Sequence, residues 1–232
     1  MKVLAVDTCT EACSAALLID GVILERFALT PKAHTQLVLP MLESLLAEAS
    51  ISLQQLDALA FGCGPGSFTG VRIATGVIQG LALGADLPVV PVSTLAAIAQ
   101  DYFDTTPNVL ANLAFTAMDA RMEEIFWGIY QRNGLGYVEL AGNESVTPAS
   151  AIEVPEQLGP GIGLGSGWGV YGEVLSHRLG ARVLTIDSGL LPRARAIARL
   201  GANAFARGLG VSVEQAMPVY LRDKVAKKES ER

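Results

Sequence analysis

The amino-acid sequence predicts a duplicated α/β fold of two halves, each of the order β-β-β-α-β-α-β-α, with the second a degraded copy of the first. Three observations predict it. Apolar runs of strand length alternate with longer segments of helical period. An aspartate closes the opening run of each half, at Asp7 and again at Asp119. A hairpin glycine follows each aspartate at nearly the same distance, 14 residues from Asp7 to Gly21 and 15 from Asp119 to Gly134, and a structural repeat explains that spacing more economically than coincidence. The division falls at residues 1–103 and 104–232, with the C-terminal helix and tail as candidates to pack back on the first half.

In the first half, apolar runs at residues 3–6, 12–19 and 22–27 make a three-strand meander. Its second and third strands join at Asp20-Gly21, a dipeptide that accepts the positive φ of a tight hairpin. Residues 34–49 carry helical periodicity, and the run 56–63 reads as a buried strand. Gly64-Pro65-Gly66 turns that strand, and Ser67 or Thr69 caps a helix running to about Gly84. A short strand at 89–92 follows, then a helix capped by Ser93 or Thr94. After Pro107 the pattern restarts with strands at 109–118, 124–130 and 136–140, the last two joined at Asn133-Gly134. A short strand at 161–165, a helix opened by Gly167, a strand at 182–186 and a long helix at 191–207 complete the second half.

The helix after Ser67 is the most informative of these elements. Val71, Ala74, Ile78, Leu81 and Ala85 form one apolar face, while Thr69, Ile73, Gly76, Gly80 and Gly84 form a second stripe of mostly small residues. Each interior glycine costs about 0.5–1 kcal/mol against alanine, so three in register imply a closely approaching neighbour. That neighbour is either another helix of the same fold or a helix of a second protein.

Half of the 232 residues are apolar, ample for a buried core. The net charge of −6 argues against a chain that grips nucleic acid by itself, yet the charge is uneven. Residues 1–101 carry 4 basic and 9 acidic side chains, net −5, whereas residues 190–232 carry 9 basic and 4 acidic, net +5. Arg193, Arg195, Arg199 and Arg207 fall on the last helix, and Arg222, Lys224, Lys227, Lys228 and Arg232 on the tail. This segment reads either as a solvated helix face with a frayed terminus or as a surface by which an assembly holds RNA. Asp7 interrupts the opening run too early for a secretory signal, and no apolar run approaches a membrane span, so the expectation is a cytoplasmic chain with no membrane partner.

Several chemistries find no support. Gly64 to Gly70 lacks the Gly-Lys-Ser/Thr of a phosphate-binding P-loop. Ser67 sits at a strand-to-helix turn like a nucleophile elbow, but Pro65 and Thr69 stand where that motif needs glycine. His177, the one histidine downstream of Ser67, falls within a helix, so Ser67 reads as a cap. His34 and His177 have no second ligand at metal spacing, and His34 reads as a surface or capping residue at its helix start. Cys9, Cys13 and Cys63 lack C-x-x-C spacing and read as small buried hydrophobes.

A duplicated meander with an aspartate closing the first strand of each half resembles the actin, sugar kinase and Hsp70 superfamily, whose cleft holds ATP. The resemblance implies that Asp7-Thr8 and Asp119-Ala120-Arg121 lie where phosphates and metal approach, and that the loop around Gly165 flanks adenosine. The glycines usual after those aspartates are missing here, and Thr8-Cys9-Thr10 and Ala120-Arg121-Met122 are poorly suited to cradle phosphate. Asp7, Thr8, Asp119 and Gly165 therefore mark a vestigial cleft.

More closely, residues 3–8, His34-Thr35-Gln36, the run from Gly64 to Ile73, Met118-Asp119-Ala120-Arg121 and the tail from Pro218 to Arg222 resemble the bacterial TsaB (YeaZ) family. The resemblance implies a non-catalytic subunit in the formation of threonylcarbamoyladenosine at position 37 of transfer RNAs that read codons starting with A. It implies pairing with a larger catalytic homologue, TsaD, and with a P-loop ATPase, TsaE, and a homodimer when the chain is alone. ATP and metal are then expected in the partner subunits and none in this chain. The implied partner face is His34, Leu37 and Met41 on one helix with Phe68, Thr69, Arg72, Ile73, Gly76 and Gly80 on the next. Arg222, Lys224, Lys227 and Lys228 are the candidate contacts to transfer RNA, made only through the complex. An independent ATP-dependent kinase and a serine hydrolase stay open as alternatives.

Overall fold

The computed structural model describes residues 1–30, 32–106, 109 and 111–222; Lys224, Lys227, Lys228 and Arg232 lie outside them. Strands β1 (Lys2–Asp7), β2 (Ala12–Ile19) and β3 (Val22–Leu29) form the expected meander, with positive φ at both Asp20 and Gly21. Then come α1 (His34–Glu48), β4 (Ala58–Gly64), α2 (Phe68–Ala85), β5 (Val89–Ser93) and α3 (Thr94–Thr105). The second half supplies β6 (Leu113–Asp119), β7 (Glu124–Arg132), β8 (Val138–Leu140), β9 (Ser145–Pro148), β10 (Gly161–Leu164), α4 (Ser166–Leu179), β11 (Val183–Asp187) and α5 (Ala194–Ala206).

The two sheets share one plan. The first has the order β3-β2-β1-β4-β5, with an antiparallel meander and then two strands parallel to β1. The second has the order β8-β7-β6-β10-β11 with the same senses, and β9 adds to β7. Alternation along β1 sends Leu4 and Val6 to a core under α1 and α2, and Val3 and Ala5 to the opposite face. That opposite face is covered by α5, through Ala194, Ile197, Ala198 and Ala202. Conversely, α3 lays Leu95, Ile98, Ala99 and Tyr102 on Ala114, Met118, Ile162 and Leu164 of the second sheet. Each half thus sends its last helix to the other's sheet, and α3 and α5 pack together as a shared middle layer. The outer face of the second sheet is closed by α4, with Trp168, Leu175 and Leu179 on Phe115 and Trp127.

Four expectations need correction. Strand β6 starts at Leu113 rather than at residue 109. Strand β9 and a short 3-10 turn at Ala149–Ala151 stand between β8 and β10, where the sequence reading places no element. The second hairpin is wider than Asn133-Gly134, because Asn133 Oδ1 accepts from the amides of Leu135 and Tyr137 and the left-handed residue is Gly136. Three of the four arginines assigned to the last helix are ion-paired within the fold, Arg193 with Glu25, Arg195 with Asp101 and Arg199 with Asp104, while Arg207 is exposed. Residues 94 to 168 positions apart make these contacts, so charge counting along the chain does not find them. Among the described residues α2 is also long and apolar enough to cross a membrane, although Val71, Ala74, Ile78 and Ala82 are committed to the core beneath it.

Candidate functional site

A cavity of about 1300 Å³ opens between the halves, lined by the β1–β2 turn, the first turns of α2 and α4, the β6–β7 turn and residues 219–222. The aspartates that closed each opening run sit at equivalent places. Asp7 Oδ1 accepts from the Cys9 amide at 3.1 Å, and Asp119 Oδ1 accepts from the Arg121 amide at 2.9 Å. Their surroundings differ. Asp7 is fully buried, its Oδ2 has no partner, and burial pushes its carboxyl up to about 7. Asp119 lies at the cavity wall and pairs with Arg121 at 2.9 Å.

Asp7 does not line the cavity, and the first turn of α2 packs on the two residues that follow it. Ser67 caps that helix, its Oγ accepting from the Gly70 amide, and its own amide donates to Cys9 O at 2.7 Å. Buried Thr8 donates to Gly70 O at 2.6 Å. Gly70 comes so close to the β1–β2 turn that a Cβ there would collide with the Thr8 carbonyl. The turn after β1 is therefore occupied by the chain's own backbone, and the residues present do not fit a nucleotide phosphate or its metal there. Gly165 ends β10 at φ +95° with its backbone against Ala117, so it too is spent on packing.

Ser67 has no base. Of the two histidines, His34 reaches the cavity wall but its Nε2 lies 3.0 Å from Thr10 O and 3.2 Å from Ala12 O, and His177 is exposed in the last turn of α4. His34 is itself a correction, being buried and tied to the β1–β2 turn rather than placed on the surface. Among the described residues no group of three His, Cys, Asp or Glu could hold a metal. A polar tie that sequence reading missed lies at the centre, where Ser93 of β5 and Tyr130 of β7 both donate to Glu144. Burial raises the Glu144 carboxyl and the Tyr130 phenol alike. No spacing rule signals such a contact, since Glu144 comes from the loop before β9.

The outer face of α2 is open. A Cβ added at Gly76, Gly80 or Gly84 would meet nothing within 4 Å, so among the described residues no helix takes up the stripe. At 100° per residue the face runs from Phe68 and Arg72, through Gly76, Thr69 and Gly80, to Ile73. Ile73 leans on the core, where Leu37 and Met41 of α1 also pack half-buried. On the other flank the Arg72 guanidinium stacks 3.3 Å from the Phe68 ring centroid and 5.0 Å from that of Tyr220. The nine residues expected at a partner face thus fall on α1 and α2: Phe68, Thr69, Arg72, Gly76 and Gly80 are exposed, Leu37, Met41 and Ile73 are half-buried, and His34 supports from beneath. Of the expected RNA contacts, the one described, Arg222, is engaged with Glu124.

Over residues 28–229 the chain matches the family described as TsaD, tRNA N6-adenosine threonylcarbamoyltransferase. It is 43% identical to the tRNA threonylcarbamoyladenosine biosynthesis protein TsaB of Escherichia coli, over 97% of this chain and 96% of that one. The protein of the same name from Haemophilus influenzae is 37% identical over 97% of this chain and 95% of its own. The solved structure of YeaZ from Pseudomonas aeruginosa superposes with a TM-score of 0.87 at 46% identity, covering 95% of this chain and 99% of that one. Two half-folds of one strand order that exchange their last helices make the actin/Hsp70-like fold. On these likenesses, which run almost the full length of the chain, it belongs to the TsaB (YeaZ) proteins of the TsaD family.

Proposed function

We propose that this chain is a non-catalytic subunit for the formation of threonylcarbamoyladenosine at position 37 of transfer RNAs reading codons that start with A, working in the cytoplasm. It pairs through α1 and α2 with the catalytic homologue TsaD, is joined by the ATPase TsaE, and forms a homodimer when alone. ATP and metal belong to those partners, and transfer RNA is met through the complex. The observation that carries this reading is the outward glycine row of α2. Three glycines destabilise an exposed helix for no gain among the described residues, and a row without side chains lets another backbone approach closely enough to multiply small dispersion contacts. The full burial of Asp7 speaks against a kinase, and the absence, among the described residues, of a hydrogen bond from Ser67 to a base speaks against a hydrolase.

The test is Gly80→Leu, read by two measurements. Overpacking a close helix contact costs roughly 1–3 kcal/mol, which is about a 5- to 150-fold loss of affinity. Co-sedimentation with TsaD should weaken by that factor while the isolated variant melts no earlier than the parent. Undiminished association would remove the face from the reading. A second measurement tests the subunit role itself: supplied with threonylcarbamoyl adenylate and transfer RNA, the chain alone should leave adenosine unmodified, and a rate matching the complete complex would overturn it.

A further inference from the structure

The last described segment, residues 216–222, crosses from the first half to the second. It starts on α2, where Gln79 Nε2 donates to Ala216 O at 2.9 Å. It continues along the end of β4, where the Val219 amide donates to Cys63 O at 2.8 Å. Gly64, at φ +112°, leaves room for it, since a Cβ there would press on Val219 O. Tyr220 then leans on Phe68 and Arg72, with ring centroids 6.2 Å apart for the two aromatics. Arg222 ends the crossing on the β6–β7 turn, pairing with Glu124 and donating to Ala120 O at 3.0 Å and Arg121 O at 3.4 Å. That turn is unusual. Arg121, Met122 and Glu123 are three consecutive non-glycine residues with φ of 60°, 56° and 64°, a conformation that L-residues rarely adopt singly and that needs outside support to persist.

We propose that this segment is a clasp. Arg222 holds the β6–β7 turn in its left-handed form by satisfying its carbonyls and its carboxylate, and Tyr220 keeps Phe68 and Arg72 in place at the rim of the α2 face. Arg222 and Tyr220 are positioning residues, and through them the second half sets the shape of a surface carried by the first. The association arm of the test rests on the partner reading; the arm at the turn does not.

Amide hydrogen exchange on the full-length chain decides the first arm. The Ala120 amide donates to Glu124 O and the Glu124 amide to Arg121 O, so both report on the turn. Arg222→Ala should speed their exchange about tenfold or more while β1 and β6 keep their protection. Arg222→Lys keeps the charge beside Glu124 but lacks the Nε–Nη2 edge that holds Glu124 while Nη2 faces the two carbonyls, and should restore part of the protection. Unchanged exchange in Arg222→Ala would overturn the clasp. In the second arm, Tyr220→Ala should leave the turn protected and weaken co-sedimentation with TsaD about tenfold. If Tyr220→Ala associates like the parent while Gly80→Leu does not, the partner reading stands and the segment has no share in its face. If Gly80→Leu also associates normally, the partner reading falls, and the exchange result still decides the clasp at the turn.

Discussion

Helices α2 and α4 occupy the same place in the two halves, after the strand that runs parallel to the opening one, and both point their first turns at the cavity. They use glycine for opposite purposes. In the first turns the two agree: Gly70 presses on the Thr8 carbonyl and Gly167 on Ala117, each bringing its helix onto the end of the opening strand of its half. Beyond that they diverge. Helix α4 is kinked at Tyr171 (φ −118°) and buries Trp168, whose Nε1 donates to Phe115 O at 2.8 Å. Helix α2 runs regularly for 18 residues and turns Gly76, Gly80 and Gly84 to solvent. A duplicated position kept for packing tolerates irregularity, whereas one that presents a surface is straight and bare. The aspartates differ too: Asp7 is fully buried with Gly62 against its carboxylate, and Asp119 stays at the wall with Arg121.

The largest test of this comparison concerns Asp7. Its pKa is raised, so between about 4 and 7 the folded chain holds a proton that the unfolded chain has lost. Its contribution to stability is present below about 4 and lost as pH rises through about 7, an effect of roughly 4 kcal/mol at most. Asp7→Asn removes that titration. The variant should melt well above the parent at pH 8, with the two converging near pH 4; parallel melting curves across that range would mean Asp7 is not sealed. Next in size is Arg195→Ala in the middle layer. It strands the Asp101 carboxylate, 2% exposed, and should cost about 3 kcal/mol in urea unfolding. A loss within about 0.5 kcal/mol would show that this pair behaves as a surface one.

Gly167→Ala should destabilise by roughly 1–3 kcal/mol, because the added methyl meets Ala117 and the strand cannot retreat. The smallest effect has the opposite sign. Gly80→Ala adds a methyl to open space and should stabilise the isolated chain by about 0.5–1 kcal/mol. Like signs for these two substitutions would erase the distinction between the helices.

Much of the duplication was legible in the sequence because it rests on local patterns. Asp20-Gly21 forms the turn its positive φ favours, and the apolar run of β2 and the cap at Ser67 are each read within a few residues. The glycine stripe was legible as a second face, but whether it was internal depended on what stood opposite, which helical period does not report. The same reason hid the pairing of the α5 arginines and the Glu144 tie. Their partners come from distant segments and are chosen by the exchange of α3 and α5 between sheets. His34 was misread because a lone histidine at a helix start carries no signal of the two carbonyls waiting for it on another strand.

That exchange bears on how the chain is made. The inner face of the first sheet, complete by Ser93, is not covered until α5 has been synthesised about a hundred residues later. At roughly 5–20 residues per second the nascent first sheet waits about 5–20 s with Val3, Ala5, Ala60 and Val90 uncovered. Closure of this face therefore waits on α5, and a chain cut short before Ala194 is one that chaperones and proteases would recognise.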